Sequence, residues 1–173
     1  MPDYFADPTF VLFGKLALAA FLGMLLGTER VIAGKEAGTR TFALVALGSC
    51  LMVVMSNTVT GSYLGFVNFD PLRVAAAIVS GIGFLGAGII VFRTRDGGSH
   101  GFTTAAAIWV AAAVGMAVGY GLYSISIFTT ALTLFIFTAV WFLESWLKDF
   151  IVKQNWIGKA GGGQGEVPRY GDE

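Results

Sequence analysis

The chain has 173 residues, of which 55% are hydrophobic and 13% charged, and eleven basic residues balance eleven acidic ones, with the single histidine neutral. Soluble domains carry roughly 25% charged residues, and here three long stretches, 41–69, 74–92 and 101–143, carry none. This distribution excludes a water-soluble fold and a basic surface that would bind nucleic acid.

The uncharged stretches predict transmembrane helices. A helix needs about 20 residues to cross about 30 Å of hydrocarbon, so 101–143 is too long for one span, and Gly119-Tyr120-Gly121 offers a break. We predict an all-α fold, a polytopic membrane helix bundle with five transmembrane helices near 10–28, 41–63, 72–92, 102–119 and 122–143. With an interfacial helix extension, the transmembrane helical domain covers 1–157, and 158–173 form a flexible Gly-rich tail.

The basic residues predict the orientation of these helices. One side of the membrane would receive nine lysines and arginines in loops and tails, and the other would receive only Arg73. Because basic loops stay on the cytoplasmic side, we predict an outside N-terminus and a cytoplasmic C-terminus.

Small residues at helical spacing predict the faces through which helices pack in a membrane. The first span carries Ala19, Gly23 and Gly27, and the fourth carries Ala107, Ala111, Gly115 and Gly119. The third carries Ala76, Ser80, Gly83 and Ala87.

The third span also contains the string Gly81-Ile-Gly83-Phe-Leu-Gly86, followed by Gly88. It matches a dinucleotide fingerprint in letters only, because that fingerprint requires a strand before it and a helix after it. Two interpretations stay open for Gly81, Gly83, Gly86 and Gly88: close helix packing, or a locally unwound segment that lines a cavity.

Charged residues at the span boundaries are the candidate functional groups, because charge near a membrane is costly. Glu29 and Arg30 end the first span, and Arg40 opens the second. For Glu29 and Arg30 the simpler interpretation is an interfacial anchor, and the candidate partners of Arg40 are Glu29 and Glu36. Lys15 lies only about 8 Å along the first helix, so its stem is expected to snorkel outward.

Two helix starts add further candidates. Asp70 and Arg73 flank the start of the third span, where Asp70 fits either a helix cap or a functional carboxylate. Thr103 and Thr104 open the fourth span, where they fit either a cap or, with basic neighbours, an anion site. No set of catalytic side chains is recognisable, so we expect no enzyme activity.

Three ordered motifs resemble the MgtC/SapB family of bacterial membrane proteins. The first is Glu29-Arg30 followed by Gly38-Thr39-Arg40-Thr41. The second runs from Asp70-Pro71 through Arg73 to Gly81–Ile90. The third comprises Thr103-Thr104-Ala105-Ala106, Trp109 and Gly115. The similarity covers about residues 10–143.

The resemblance implies a multi-pass protein of the bacterial inner membrane that is linked to magnesium or ion homeostasis. It leaves two functions open: transport or sensing of an ion or small solute, or regulation of another membrane transporter or energy-coupling complex. Many members carry a soluble C-terminal domain, and this chain is expected to be a short form without it.

We expect the protein to lie in the lipid bilayer and to form a homo-oligomer, with a dimer as the first expectation. Another membrane protein is a further expected partner, and no nucleic acid is expected. We expect no cofactor. Magnesium is a candidate ligand, with Asp70 as the best candidate carboxylate, since this ion keeps several waters and needs only one or two carboxylates.

Overall fold

The computed structural model describes residues 8–35, 37–62, 70, 72–94 and 101–160. Within these ranges the chain forms five helices: α1 (Pro8–Ile32), α2 (Thr39–Ser62), α3 (Leu72–Thr94), α4 (Phe102–Gly119) and α5 (Tyr123–Ala160). Each helix contains a stretch long and apolar enough to cross a membrane. The prediction of an all-helical fold is confirmed for the described residues, and their five helices are long and apolar enough to be the five predicted spans.

The chain divides into two compact units, residues 1–134 and 135–173. In the second unit, the described residues 135–160 form one helical stretch, which is the remainder of α5. The predicted extension up to 157 is therefore helical, while its position at a membrane interface stays a prediction. Of the predicted tail, 158–160 are helical and the other residues lie outside the described ranges.

Three helices, α1, α2 and α4, form the core of the first unit and contact one another pairwise. A cluster of buried apolar side chains joins them, with members Ala19, Leu22, Cys50, Val54, Val114 and Val118. The third helix packs mainly against α4. The helix α3, which lies between α2 and α4 in sequence, is therefore not part of this core.

Glycines bring the three core helices into backbone contact. A Cβ atom at Gly23 would lie 2.6 Å from the carbonyl oxygen of Phe42, and one at Gly115 would overlap the carbonyl oxygen of Ala46. Because no side chain fits there, α2 approaches both α1 and α4 more closely than larger residues would permit. The small-residue faces predicted for the first and fourth spans are both covered in this way.

Two polar contacts define the register of α1 against α4. Lys15 meets Gly119 near one end of the pair, and Arg30 meets Thr104 near the other. Fifteen residues separate the two contacts on each helix, or about 22 Å at 1.5 Å per residue. The helices are therefore antiparallel and in constant register. We call the two ends of this pair the Lys15 end and the Arg30 end.

The part of α5 within the first unit presents hydroxyl side chains to the interior. Ser126 and Thr130 are buried, and the Ser126 hydroxyl lies 3.0 Å from the carbonyl oxygen of Leu122 and 3.5 Å from that of Val114. Thr130 donates to the Ser126 carbonyl oxygen at 2.8 Å. Back-bonding within a helix satisfies these hydroxyls without water.

Candidate functional site

The end of α1 holds Arg30 in a fixed backbone position. The Lys35 amide donates to the Arg30 carbonyl oxygen at 2.8 Å, and the Gly34 amide donates to that of Val31 at 3.0 Å. This is the Schellman arrangement, which requires the left-handed backbone that Gly34 adopts with φ of 67°. The helix therefore ends just after Arg30, at a defined point.

The Arg30 side chain turns into the protein. It is only 3% exposed, and its Nη2 atom donates a hydrogen bond to the hydroxyl of Thr104 at 3.3 Å. This burial differs from the interfacial-anchor interpretation, in which the guanidinium would extend to water. A buried guanidinium is costly unless its donors are satisfied, so the contact with α4 is a specific feature of the fold.

Thr104 can accept this bond because it does not cap its own helix. The N-cap position of α4 is Gly101, with φ of 122° and no side-chain cap hydrogen bond. Thr103 and Thr104 therefore lie in the first turn, where Thr103 is exposed and Thr104 is buried. The cap interpretation of these threonines is wrong, and only Thr104 joins the contact with α1.

Glu29 places a carboxylate beside this pair. Its Oε2 atom is buried and has no hydrogen-bond partner among the residues that the structure describes, although the residue as a whole is partly exposed. The carboxylate also interacts electrostatically with Arg30. A buried acceptor without a donor is unusual in folded proteins, and this oxygen is placed to accept a hydrogen bond from a ligand.

Two more threonines border these residues. The hydroxyls of Thr28 and Thr39 lie 3.4 Å apart, so α1 and α2 also meet through a polar contact at this end. Their neighbour Arg40 is exposed. We refer to Glu29, Arg30 and Thr104, with Thr28 and Thr39 beside them, as the Arg30 cluster.

Asp70 and Arg73 do not belong to the Arg30 cluster. They lie at the start of α3. The charge of Asp70 interacts with the phenol of Tyr120, which lies just beyond the last turn of α4. Asp70 and Arg73 are therefore nearer the Lys15 end than the Arg30 end. Both side chains are exposed, and the Oδ1 atom of Asp70 accepts a hydrogen bond from the Leu72 amide at 2.9 Å. The cap interpretation of Asp70 is confirmed, and the predicted polar residues divide between opposite ends of the bundle.

Lys15 is the polar residue whose role the sequence did not reveal. Instead of snorkelling outward, its Nζ atom donates to the carbonyl oxygen of Gly119 at 3.0 Å. Gly119 belongs to the last turn of α4, whose carbonyls lack intrahelical donors, and a cation there also complements the helix dipole. The sequence carries no signal for this bond, because the bond depends on which distant helix packs beside α1.

The pKa of Tyr120 reflects the negative charge of Asp70 at this end of α4. Burial, and to a smaller extent the negative charge of Asp70, raise the pKa of the Tyr120 phenol above its ordinary value. Tyr120 follows the last helical turn of α4 and precedes α5. Among the described residues, Lys15, Arg73, Asp70 and Tyr120 thus lie towards the Lys15 end.

The four predicted glycines of α3 behave differently from those of the core. The helix runs unbroken through 81–88, so the described structure shows no unwound segment there. A Cβ atom at Gly81, Gly83 or Gly88 would meet nothing within 4 Å, whereas one at Gly86 would lie 3.6 Å from Ala105. Of these four glycines, only Gly86 meets another helix among the described residues.

A metal site of several side chains is not present in the described part of the chain. Within it, no three or more His, Cys, Asp or Glu side chains lie close enough together to hold a metal ion.

Comparison with known proteins identifies relatives of similar sequence. The chain is 42% identical over 124 residues to the Escherichia coli (strain K12) protein named "Putative magnesium transporter YhiD", which covers 70% of this chain and 57% of the relative. It is 38% identical over 143 residues to Protein SapB of Bacillus subtilis (strain 168), and this match covers 82% of this chain and 59% of SapB. It is 49% identical over 110 residues to Protein MgtC of Brucella abortus (strain 2308), covering 63% and 42%.

The matches to these three relatives span between about two fifths and three fifths of their lengths. No solved structure gives a significant match. A family profile described as the MgtC family matches residues 16–146, a segment that contains the Arg30 cluster and begins one residue after Lys15. The chain therefore belongs to the MgtC family, as its three motifs indicate.

Proposed function

We propose that this protein serves ion homeostasis in the bacterial inner membrane, with magnesium as the first candidate, and that it senses or transports an ion or small solute at the Arg30 cluster. The name given to YhiD supports the choice of magnesium. The proposal depends on the cluster itself, since polar groups within a membrane-embedded core are costly and commonly functional.

The single observation that carries the proposal is the combination of Arg30 with Glu29. Arg30 is buried and bonded to Thr104, while the Oε2 atom of Glu29 is buried and accepts no hydrogen bond among the described residues. A hydrated cation can donate a water proton to that oxygen, and so can a protonated solute. The guanidinium balances the carboxylate when no ligand is present.

The Arg30 end faces the cytoplasm in this proposal. Arg30, Lys35 and Arg40 surround the turn from α1 to α2, in accord with the preference of basic loops for the cytoplasmic side. The cluster would then sample ions in the cytoplasm. Asp70 and Arg73 would lie near the outer surface.

Reconstitution into liposomes tests the proposal. Purified protein is to be assayed for magnesium-dependent flux and for proton flux, alongside the variants Glu29→Gln and Arg30→Gln. Arg40→Gln is the matched control, because Arg40 belongs to the same turn but is exposed. We expect Glu29→Gln to abolish flux, or magnesium binding if the protein is a sensor, and Arg40→Gln to retain it. A folded protein with neither flux nor binding would contradict the proposal.

A regulatory role is the second candidate, and the exposed α3 favours it. Only 6% of the apolar stretch of α3 is buried, against 56% for α4. The glycine contacts among α1, α2 and α4 bring their backbones together, so a partner protein would bind outside this core. Capture of one membrane complex from native membranes by the wild-type chain, and its loss in Gly83→Leu with ion binding unchanged, would favour this role.

A further inference from the structure

The hydroxyl of Thr104 differs from the buried hydroxyls of α5 in what its proton does. Ser126, Thr130 and Thr133 each donate to a backbone carbonyl oxygen of their own helix. Thr104 is 5% exposed and accepts a hydrogen bond from Arg30, but no acceptor in the described part of the chain receives its own proton. Since a hydroxyl both donates and accepts, one buried donor of the Arg30 cluster is left without an acceptor.

Glu29 has the opposite deficiency in the same cluster. Its Oε2 atom is buried and receives no hydrogen bond from any described residue, and its charge interacts with that of Arg30. Arg30 therefore lies beside an oxygen that lacks a donor, and it is bonded to a hydroxyl whose proton lacks an acceptor. A ligand that accepts a hydrogen bond at one atom and donates one at another would satisfy both groups. Glu29 is partly exposed, so such a ligand can reach it from outside the bundle.

The charge around these groups favours an anion over a neutral ligand such as water. Helices α2 and α4 both start at the Arg30 end, and the N-cap of α4 provides no side-chain hydrogen bond. The first amides of a helix have no acceptor within it, and each helix start carries about half a positive charge. Among the described residues, these two helix starts and the guanidinium of Arg30 outweigh the carboxylate of Glu29.

We propose that the Arg30 cluster binds a phosphate group that carries a proton, either inorganic phosphate or the headgroup of a phosphomonoester lipid. Its charged oxygens accept hydrogen bonds from Thr104 and from the start of α4, as oxyanions do at helix starts. Its P–O–H group donates to Oε2 of Glu29. This inference rests on the proposed function in taking the Arg30 cluster as the binding site, and it names a phosphate, in place of magnesium, as the ligand.

Glu29 makes such a site selective for phosphate over sulfate. The two anions are similar in size and shape, but sulfate carries no proton at neutral pH and has nothing to donate to Oε2. A bound sulfate would leave that oxygen unpaired beside a second negative charge. We expect phosphate to bind at least about tenfold more tightly than sulfate, which corresponds to about 1.4 kcal/mol.

Equilibrium binding to the full chain in phosphatidylcholine nanodiscs tests the class of ligand. Inorganic phosphate, sulfate and magnesium are titrated separately into the wild type and into Glu29→Gln. We expect saturable binding of phosphate to the wild type, with sulfate at least about tenfold weaker. Glu29→Gln should make the two affinities nearly equal, because the glutamine amide donates to an oxyanion that carries no proton.

Two threonines in the first turn of α4 provide a matched pair of variants. Thr104 is buried in the cluster, whereas Thr103 is exposed, and valine has nearly the size of threonine but lacks its hydroxyl. We expect Thr104→Val to weaken phosphate binding by about tenfold and Thr103→Val to leave it unchanged. Thermal unfolding checks that each variant is folded. If Thr104→Val does not fold, the ratio of phosphate to sulfate affinity in Glu29→Gln still tests the proposal.

Nanodiscs that contain phosphatidic acid distinguish the two sources of the phosphate group. Phosphatidic acid, a phosphomonoester, should weaken the binding of inorganic phosphate if the lipid headgroup occupies the cluster. Phosphatidylglycerol, an anionic phosphodiester without a P–O–H group to donate, should not weaken it. Absence of competition by phosphatidic acid would assign the site to free phosphate.

The magnesium titration separates this inference from the proposed function. The inference is wrong if phosphate does not bind, or if sulfate binds to the wild type as tightly as phosphate does. Binding of magnesium alone, lost in Glu29→Gln, would overturn the inference and support the proposed function. Binding of neither ligand by the folded protein would contradict both.

Discussion

The ammonium group of Lys15 donates to the carbonyl oxygen of Gly119 across 104 residues of sequence. The bond joins the first turns of α1 to the last turn of α4. It satisfies a carbonyl that the α4 backbone leaves without a donor, so the lysine acts as a cap supplied by another helix. The same two helices meet again through Arg30 and Thr104.

Replacing Lys15 by methionine should lower the stability of the protein. The Gly119 carbonyl loses its donor while the apolar stem is retained, and we expect a loss of about 0.5–2 kcal/mol. Thermal unfolding in detergent micelles measures it. Lys15→Arg keeps a donor and should lose less, and equal stability of Lys15→Met and wild type would show that the bond contributes nothing.

Replacing Gly115 by alanine should disrupt the contact between α4 and α2. The new methyl group overlaps the Ala46 carbonyl oxygen, which is backbone and cannot move aside. Overpacking of this kind costs about 1–3 kcal/mol, which thermal unfolding would detect.

Gly48 provides the control on α2. A Cβ atom there meets nothing within 4 Å, and alanine is the better helix former by up to about 1 kcal/mol. Gly48→Ala should therefore be neutral or mildly stabilising. A similar loss in both variants would show that helix propensity, rather than the close approach, governs these positions.

Removing the guanidinium of Arg30 should be far more harmful than removing that of Arg40. Arg30 is 3% exposed and bonded to Thr104, whereas Arg40 is exposed. Arg30→Met leaves the Thr104 hydroxyl and the Glu29 carboxylate without their neighbouring cation, and unpaired buried polar groups cost about 1–3 kcal/mol each. The yield of folded protein after solubilisation reports the difference, and equal yields would refute it.

Stability should fall at high pH through Tyr120. Its pKa is raised in the folded protein, so the folded state holds the phenolic proton to higher pH than the unfolded state does. The resulting stabilisation is present below about pH 10, the ordinary value, and is lost as pH rises through the folded value.

Absorbance titration of the tyrosines tests this assignment. Tyr120→Phe should remove the component that ionises above the ordinary range. Asp70→Asn should move that component down, because the carboxylate charge is one of the two causes of the shift. No movement in Asp70→Asn would indicate that burial alone raises the pKa.

Thiol labelling tests the proposed orientation. In the Cys50→Ala background, Asp70→Cys should react with an impermeant reagent added outside spheroplasts, and Lys35→Cys should react only after lysis. Both positions are exposed. The reverse pattern would place the Arg30 cluster on the outer side.

The helices could be predicted from the sequence because a membrane span needs little more than an uncharged stretch of sufficient length. The starts of all five described helices lie within two residues of the predicted spans. The burial of Arg30 and the bond of Lys15 could not be predicted, because each depends on which distant helix packs beside α1.

Which helix each small-residue face contacts also could not be predicted from the sequence. Gly23, Gly83 and Gly115 occur in similar patterns, yet Gly23 and Gly115 contact α2, whereas a Cβ atom at Gly83 would meet no described atom within 4 Å. Helical periodicity locates a smooth face without identifying its neighbour. Likewise, Arg30 and Asp70 belong to two motifs of the same family but lie towards opposite ends of the bundle.

The core of α1, α2 and α4 has a consequence for the order in which the protein is assembled during synthesis. The first two helices emerge in succession and can form their glycine contacts as a hairpin, but α4 is synthesised only after α3. Because Thr104 follows Arg30 by 74 residues, the nascent hairpin must hold its arginine at the membrane boundary through two further insertion events. A ribosome that stops after the third helix would release a chain whose core is still incomplete.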